Sequence, residues 1–352
     1  MHNKYHIGIA TTSMAQSEDA FMGADYFLKK YGDTKDGGIV VHTVFPDNFI
    51  NEIETVISRI TFLANDPLMR SIIVLGVPGT SIAFKKIKEI RPDILLFSVN
   101  PQEDPKIIQN IADFLVSIDI KNRGKQIPVT AKSLGAKKFI FLSFPRHIAT
   151  TFMSQICENM KKSCKEINLE FIYISTPDPL SDSGIVGAQQ FILEQTPQWI
   201  KKFGKDTAFF CTVNSEIEPL IKQISRYGGI FIEQYYPSPI SCYPGAFNID
   251  LKEEAGNWEK ILRKIEKSIA KAGCKNKIGT WKYSFNFSAI AGLSEYAKRI
   301  INGEAKINSF EDLVLSFKEY SSNANWKGEY YFESDLNKKN HAMLYLDTYI
   351  FN

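Results

Sequence analysis

The chain lacks the features that define membrane proteins, disulfide-rich proteins and several familiar enzyme classes. No stretch approaches the roughly 18 uncharged apolar residues of a membrane helix. Cysteine is scarce, with five in 352 residues, and an odd number without a CxxC pair argues against a disulfide framework or a zinc site. No GxSxG, HExxH or Walker motif is present, and there are only five histidines for acid–base chemistry. We therefore expect no metal, no cofactor and no catalytic residue, and we interpret the chain as a non-enzyme.

A strong charge of either sign is also missing. The 42 basic and 39 acidic residues leave a formal net charge of only +3. The densest basic stretches, such as Lys161, Lys162 and Lys165, fall within helix-like patterns and are interpreted as solvated helix faces. Phosphate binding requires a concentrated basic surface. The sequence therefore gives no reason to expect a nucleic-acid partner.

What the sequence does contain is a regular alternation of apolar strands and amphipathic helices. In the first third, strands are predicted at residues 5–11, 39–45, 71–77, 94–99 and 115–119, and helices at 19–31, 49–63, 80–90 and 105–114. Continuous apolar runs such as residues 94–97 are typical of strands buried on both faces. A succession of strand, helix and parallel strand predicts an open sheet with helices on both sides.

The same rhythm restarts after a more polar helical stretch at residues 121–136. Strands are predicted at 138–143, 169–175, 207–213 and 229–234, with helices at 151–168, 182–203, 216–227 and 258–272. Pro197 is a candidate interruption of the helix at 182–203. Two later helices, at 284–302 and 310–320, and a strand-like run at 343–350 follow a complete second array. We expect these last elements to return to the first lobe.

The fold class predicted from this pattern is α/β, with two doubly wound parallel-sheet lobes joined by a hinge. The first lobe is expected to comprise residues 1–120 plus about 285–352, and the second residues 121–284. A length of 352 residues exceeds one ordinary core and suits two lobes of roughly 150 residues each.

Several segments resemble type I periplasmic solute-binding proteins. They are Thr11-Thr12-Ser13 with residues 16–19 and the helix that contains residues 23–25, the turn LGVPGT at 75–80, and LFSVN at 96–100. More closely, QSEDAFMGAD, FPDNF and VPGT together resemble an uncharacterised family from anaerobic bacteria whose members are described as lipoproteins or candidate regulators. This resemblance covers about the first 330 residues. A second, weaker resemblance is to basic membrane lipoproteins, which bind nucleosides.

Ligands of open α/β sheets lie beyond the carboxyl ends of the strands, and this rule selects the candidate binding residues. In the first lobe they are Thr11, Thr12, Ser13, Pro46, Asp47, Val77, Pro78, Gly79 and Asn100. In the second lobe they are Phe144, Arg146, Thr176, Asp178, Asn214, Tyr235 and Tyr236. Helix N-termini at the same edge are expected to offer unpaired N–H groups to hydroxyl, carboxylate or phosphate oxygens.

Each candidate also has a structural explanation that the sequence leaves open. Some of the polar side chains are equally suited to helix capping, and these are Thr12, Ser13, Asp47 and Asn214. Pro78-Gly79 is compatible with a simple turn. Arg146 is as well suited to a surface carboxylate as to an anionic ligand, and His147 is a weak acid–base candidate. Stacking on a ligand ring and ordinary packing are equally compatible with Phe144, Tyr235 and Tyr236.

The function expected from this reasoning and the resemblance is extracytoplasmic binding of a small polar ligand, with a nucleoside or a sugar favoured, for an ABC transporter or a receptor. The expected location is the cell envelope or periplasm, with an export signal that the sequence does not include and a membrane connection only through a lipid anchor absent from this chain. A cytoplasmic ligand-sensing regulator without its own DNA-binding motif is the first alternative. An enzyme on the same fold is the second.

Overall fold

The computed structural model describes residues 5–331 and 338–352. The chain divides into two compact units, and each is built from separate stretches of sequence. Unit 1 comprises Met1–Ile118 and Phe285–Tyr345, and unit 2 comprises Asp119–Ser284 and Leu346–Asn352. The division differs from the expected boundaries chiefly at the last seven residues, which group with unit 2.

The strands within the described residues are mostly short and apolar. In chain order they are β1 (His6–Thr11), β2 (Val40–Val44), β3 (Met69–Leu75), β4 (Leu95–Val99), β5 (Phe114–Ile118), β6 (Lys138–Ser143), β7 (Glu170–Ser175), β8 (Thr207–Cys211), β9 (Ile230–Phe231), β10 (Gly279–Thr280), β11 (Lys327–Tyr330), β12 (His341–Tyr345) and β13 (Tyr349–Ile350).

The helices alternate with these strands. They are α1 (Glu18–Tyr31), α2 (Ile53–Leu63), α3 (Thr80–Ile90), α4 (Pro105–Ile111), α5 (Ile120–Ser133), α6 (Pro145–Ile148), α7 (Thr151–Glu166), α8 (Gly184–Phe203), α9 (Asn214–Tyr227), α10 (Tyr243–Phe247), α11 (Trp258–Lys271), α12 (Phe285–Ile301) and α13 (Phe310–Lys318). Among the residues described, no helix combines the length and the apolar character needed to cross a membrane.

Unit 1 is organised around a sheet with the strand order β11-β12-β5-β4-β3-β1-β2. The pairs from β2 to β12 are parallel, and only β11 and β12 are antiparallel to each other. Strand β12 pairs with β5, with His341 opposite Leu115. The returning C-terminal elements therefore extend the sheet of the first unit, because β5 would otherwise present an unpaired edge.

Helix α12 packs closely against α1 in unit 1, and small residues make this possible. Its first thirteen residues, Phe285 to Ala297, are all buried. A Cβ atom on Gly23 of α1 would lie 2.7 Å from the carbonyl oxygen of Phe287. Glycine at this position therefore allows the two helix backbones to approach each other.

Unit 2 contains a four-stranded parallel sheet with the order β7-β6-β8-β9. Its core joins side chains of β6 and β8 to the apolar faces of α8, α9 and α11, including Ile140, Phe209, Ile221 and Ile265. A separate antiparallel pair of β10 and β13 places Gly279 opposite Ile350.

A buried ion pair and its hydrogen bonds connect four segments of unit 2. The Arg123 guanidinium donates from Nε to Glu233 Oε1 at 2.8 Å and from its two terminal nitrogens to the carbonyl oxygens of Gln234 and Tyr235, each at 2.8 Å. Glu233 Oε2 accepts from Trp281 Nε1 at 2.9 Å and from Thr348 Oγ1 at 2.7 Å. Both charged side chains are about 1% exposed. Each charge is thus surrounded by hydrogen bonds, which is the condition under which burial is tolerated.

Two predicted elements differ from the observed ones for identifiable reasons. The strand predicted at 229–234 ends at Phe231, because Glu233 and Gln234 take part in side-chain networks with Arg123 and with Ser238. The helix predicted at 49–63 begins only at Ile53, after a turn. Pro197 lies inside α8 and does not interrupt it.

Removing one partner of the buried ion pair is expected to be costly. Arg123→Met should destabilise unit 2 by about 3–5 kcal/mol, because Glu233 would remain buried without a countercharge. Thermal unfolding followed by circular dichroism measures the loss. The double variant Arg123→Met/Glu233→Gln should recover part of it. Equal melting temperatures for the wild type and Arg123→Met would contradict this account of the pair.

Candidate functional site at the carboxyl edges of the two sheets

Parallel pairing in unit 1 places the loops that follow β1 to β4 along one edge of the sheet. We call this the carboxyl edge of unit 1, and it is formed by residues 12–17, 45–52, 76–79 and 100–104. Every unit 1 candidate selected from the sequence lies on it or at the end of a strand that leads to it. The equivalent carboxyl edge of unit 2 is formed by residues 144–150, 176–183, 212–213 and 232–242, which follow β6 to β9.

The first two loops of unit 1 are joined to each other by side chains. The Ser13 hydroxyl donates to Asp47 Oδ1, and Gln16 Nε2 donates to the Asp47 carbonyl oxygen at 3.1 Å. Thr11 Oγ1 lies 2.8 Å from His42 Nε2. Asp47 itself is exposed, so a polar surface is present where β1 and β2 end.

The capping roles considered for these residues are not observed. The N-cap of α1 is Ser17 rather than Thr12 or Ser13, and the N-cap of α2 is Glu52 rather than Asp47. Thr12 is 4% exposed, and its hydroxyl has no hydrogen-bond partner among the described residues. A buried polar atom without a partner is uncommon and requires an explanation.

The turn between β3 and α3 is occupied by a side chain from another loop. Gly79 adopts a left-handed conformation, with φ of 93°, and Pro78 before it is partly exposed. The Glu103 carboxylate accepts from the Gly79 N–H at 3.1 Å, the Ser81 N–H at 2.7 Å and the Ser81 hydroxyl at 2.9 Å. The expectation of unpaired N–H groups is therefore wrong at this helix. Sequence reasoning missed Glu103, although its place after β4, next to β3, could have indicated it.

Asn100 has its side-chain amide engaged within unit 1. Its φ is 49°, a left-handed conformation that asparagine tolerates better than most residues. The Nδ2 atom donates to Asn286 Oδ1 at 2.9 Å, and Oδ1 accepts from the Ile118 N–H at 3.2 Å. Asn100 thus connects the ends of β4 and β5 to the beginning of α12.

Two candidates on the carboxyl edge of unit 2 pair with each other. Arg146 donates to the two Asp178 oxygens at 2.7 and 2.8 Å, and its guanidinium lies 5.1 Å from the centre of the Phe144 ring. The hydrogen bond from Arg146 lowers the pKa of Asp178, and Asp178 in turn raises the pKa of Arg146. The sequence left open whether Arg146 pairs with an anionic ligand or with a carboxylate of the protein. In the structure it pairs with a carboxylate of its own unit.

His147 lies beside this pair. Its ring stacks on Phe144 at 5.1 Å, and Nδ1 is 3.1 Å from the Thr212 hydroxyl. Burial, reinforced by the positive charge of Arg146, lowers the pKa of His147 to about 4. The imidazole is thus neutral near pH 7 and contributes no positive charge to the edge.

The remaining unit 2 candidates differ in exposure. Asn214 is the exposed first residue of α9, whose N-cap is Val213, so the capping role considered for it is not observed. Tyr235 is 3% exposed and contacts Tyr236 with ring centres 4.6 Å apart. Burial raises the pKa of Tyr236 to about 12. Tyr236 is only partly buried, so it is the member of the pair with accessible surface.

A buried carboxyl group near this edge was not anticipated from the sequence. Glu216, in the first turn of α9, is fully buried, and its Oε2 accepts from the Cys211 thiol at 3.5 Å. Its other oxygen has no partner among the described residues. Burial raises the pKa of Glu216 to about 7, and the neighbouring Thr176 hydroxyl and Cys211 thiol limit the rise.

A cavity lies at the opposite end of the unit 1 sheet, where β3 and β4 begin. Its volume is about 460 Å³, and it is lined by Tyr5, Arg70, Asp93, Leu95, Ile301 and Asn302. Arg70 and Asp93 form an ion pair across it at 3.3 Å. Because ligands of this sheet type bind at the carboxyl ends of strands, the cavity is not the favoured site.

Comparison with solved structures defines the class of fold. The chain is similar to a candidate transcriptional regulator from Clostridium difficile 630, with a TM-score of 0.82, 22% identity, and coverage of 99% of this chain and 100% of that one. It is also similar to an ABC sugar transporter subunit from Rhodobacter sphaeroides 2.4.1, with a TM-score of 0.55, 11% identity, and coverage of 87% and 95%. The fold is that of type I periplasmic binding proteins, and the predicted fold class and resemblance are confirmed.

Comparison of sequences identifies the family. A family model described as a protein of unknown function (DUF3798) matches residues 5–279, and the chain belongs to this family. Two uncharacterized proteins of Treponema pallidum (strain Nichols) are related to it. One is 35% identical over 208 residues, which is 59% of this chain and 94% of the relative. The other is 38% identical over 178 residues, which is 50% of this chain and 80% of the relative.

The buried carboxyl of Glu216 predicts a pH-dependent stability. Its pKa rises from an ordinary 4.5 to about 7 on folding, so the neutral form is favoured in the folded state. The resulting stabilisation is complete below pH 4.5 and is lost as the pH rises through 7. Glu216→Gln keeps the group neutral. It should match the wild type at pH 4.5 and be more stable at pH 8 by on the order of 3 kcal/mol.

Thermal melts across this pH range measure the difference. Glu218→Gln is the matched control, because Glu218 lies on the same helix, is 41% exposed and pairs with Lys222 at 3.0 Å. The control should follow the wild type at every pH. A constant offset between Glu216→Gln and the wild type from pH 4.5 to 8 would show that Glu216 does not titrate as described.

Proposed function

We propose that this chain is an extracytoplasmic binding protein that takes up a small polar ligand at the carboxyl edges of both units. The proposed role is to deliver the ligand to an ABC transporter or a receptor in the cell envelope. A sugar or a nucleoside is the favoured class, because both combine hydroxyl groups with a ring that the aromatic side chains Phe144 and Tyr236 would contact.

One observation carries the proposal: the carboxyl edge of unit 1 contains a buried hydroxyl without a partner. Thr12 follows β1 and is 4% exposed, and its hydroxyl has no hydrogen-bond partner among the described residues. An unsatisfied buried polar group costs about 1–3 kcal/mol. A polar ligand that hydrogen-bonds to this hydroxyl would remove that cost.

The similarity to known folds supports binding rather than a particular ligand. The solved neighbours named above are described as a transport subunit and a regulator. A further neighbour, a LacI family transcriptional regulator from Arthrobacter sp. FB24, has a TM-score of 0.53 at 10% identity, with coverage of 88% of this chain and 94% of that one. Identities this low support the shared architecture, and the ligand must be found by experiment.

A second candidate function is a ligand-sensing regulator. It is favoured by the similarity to the Clostridium difficile protein, which covers 99% of this chain with a TM-score of 0.82. The location of the native protein distinguishes the two. Recovery from the envelope fraction would favour transport or reception, and recovery from the cytoplasm would favour regulation.

The proposed function is tested first by identifying the ligand. A denaturing extract of the purified protein is analysed by mass spectrometry, and the recovered compound is titrated back while the melting temperature is followed. A ligand must stabilise the native state it binds, so we expect a rise that grows with the logarithm of ligand concentration. A protein that contains no ligand and is unaffected by sugars, nucleosides and amino acids would contradict the proposal.

The same titration applied to Thr12→Val tests the site. Valine keeps the shape of threonine and removes the hydroxyl, so the affinity should fall about five- to tenfold, as expected for the loss of one hydrogen bond. The stability of the unliganded protein should not fall, because no internal hydrogen bond is lost. Thr207→Val is the matched control, since its hydroxyl is also buried without a described partner but lies where β8 begins. Equal affinity losses in both variants would contradict the assignment of Thr12.

A further inference from the structure

The carboxyl edge of unit 1 has an unusual charge composition. Its four loops, residues 12–17, 45–52, 76–79 and 100–104, contain no lysine, arginine or histidine. They contain four acidic residues: Asp47, Glu52, Glu103 and Asp104. The first turn of α1, which follows the first loop, adds Glu18 and Asp19. Within these loops an anionic ligand would meet carboxylates and no cation. A cation next to them is Arg59 of α2, which donates to the Val44 carbonyl oxygen at the end of β2.

Glu103 occupies the N-terminus of α3, which is the part of this edge best suited to bind an anion. A helix N-terminus attracts negative charge through its unpaired N–H groups and the helix dipole. At α3, the Glu103 carboxylate already accepts from the Gly79 and Ser81 N–H groups and from the Ser81 hydroxyl, at 2.7 to 3.1 Å. The position that a ligand phosphate or carboxylate would take is therefore filled by a carboxylate of the chain itself.

The hydroxyl of Thr12 lies at the same part of the edge. Ala10 of β1 is opposite Val74 of β3, so continuing this register brings Thr12 level with Gly76, at the start of the turn into α3. This buried hydroxyl has no partner among the described residues. It is an independent indication that a hydrogen-bonding ligand binds beside the turn that Glu103 covers.

The carboxyl edge of unit 2 supplies no uncommitted positive charge from its described loops. Its arginine, Arg146, is held by Asp178 through two hydrogen bonds of 2.7 and 2.8 Å. His147 is neutral near pH 7, since burial and Arg146 lower its pKa to about 4. Arg123, which precedes β6 in the chain, is buried and engaged by Glu233.

We propose that the binding site selects against anions and that Glu103 is the residue that excludes them from the N-terminus of α3. The ligand is then an uncharged polyhydroxylated compound or one that carries an amine, and phosphorylated or carboxylated relatives are rejected. This inference rests on the proposed function, because it specifies the ligand class of the same site.

The test uses inorganic phosphate as the probe, with the full chain and with chloride at matched ionic strength as the reference. The variants are Glu103→Ala, which vacates the N-terminus of α3, and Glu103→Gln, which keeps the shape but removes the charge. Asp104→Asn is the matched control, because it removes the neighbouring charge while asparagine retains the capping role that Asp104 has at α4. Melting temperature is measured against phosphate concentration.

We expect a saturable phosphate-dependent rise in melting temperature for Glu103→Ala, with an apparent affinity at least tenfold higher than that of the wild type or Asp104→Asn. Glu103→Gln should fall between them, and its difference from Asp104→Asn decides the matter if Glu103→Ala does not fold. Wild-type binding as tight as that of Glu103→Ala would overturn the inference. An equal phosphate-dependent rise in melting temperature for Glu103→Ala and Asp104→Asn would also overturn it.

The charge of the ligand recovered from the purified protein tests this inference, whereas the presence or absence of any ligand tests the proposed function. The two can therefore fail separately. An anionic ligand bound tightly to the wild type would overturn the exclusion of anions and leave the binding function intact. The absence of any ligand of either charge class would overturn the binding function, while the phosphate comparison would still report on Glu103.

Discussion

Parallel strand pairing is the constraint from which the rest of the structure follows. A parallel strand can be reached only by a crossover, and in this chain the crossovers are helices. Each unit therefore carries helices on its sheet, and every loop that follows one of the mutually parallel strands of a sheet emerges at the same edge. Loops distant in sequence are brought together in this way, so that Glu103 after β4 reaches the turn between β3 and α3.

The second organising feature is the discontinuity of each unit in sequence. Strand β12 and helix α12 complete unit 1 after the chain has built most of unit 2. In unit 2, the buried pair of Arg123 and Glu233 is completed by Trp281 and Thr348. Arg123, Trp281 and Thr348 each lie within about five residues of a point where the chain passes between the units. The polar network therefore connects the start of unit 2, the segment just before the chain returns to unit 1, and the C-terminal segment that belongs to unit 2.

Much of this architecture was accessible from the sequence, because apolar periodicity reports directly on burial. The boundaries of α3 and β6 match the prediction at both ends, and several others differ by one or two residues. The elements that were missed are short or weakly apolar. Strand β11 (Lys327–Tyr330) has a charged, half-exposed pattern, and β10 contains only two residues. Periodicity cannot be recognised over so few positions.

The candidate site was predictable to the level of the edge but not to the level of side-chain partners. The rule that ligands bind at strand ends selects Thr12, Arg146 and Asp178 by position alone. It gives no information on which of them are engaged by the chain itself. That Arg146 pairs with Asp178, and that Glu103 fills the N-terminus of α3, depends on loop conformations that local sequence does not specify. The burial of Glu216 likewise depends on helix packing.

The central proposal is that the carboxyl edge of each unit takes part in binding the ligand. Amide hydrogen exchange of the full chain, measured with and without the ligand recovered from it, tests this claim most directly. The account predicts that the ligand slows exchange in residues 76–81 and 100–104 of unit 1 and also in residues 144–147 and 176–180 of unit 2. Protection confined to one unit, or centred on Arg70 and Asp93 at the opposite end of the unit 1 sheet, would contradict it.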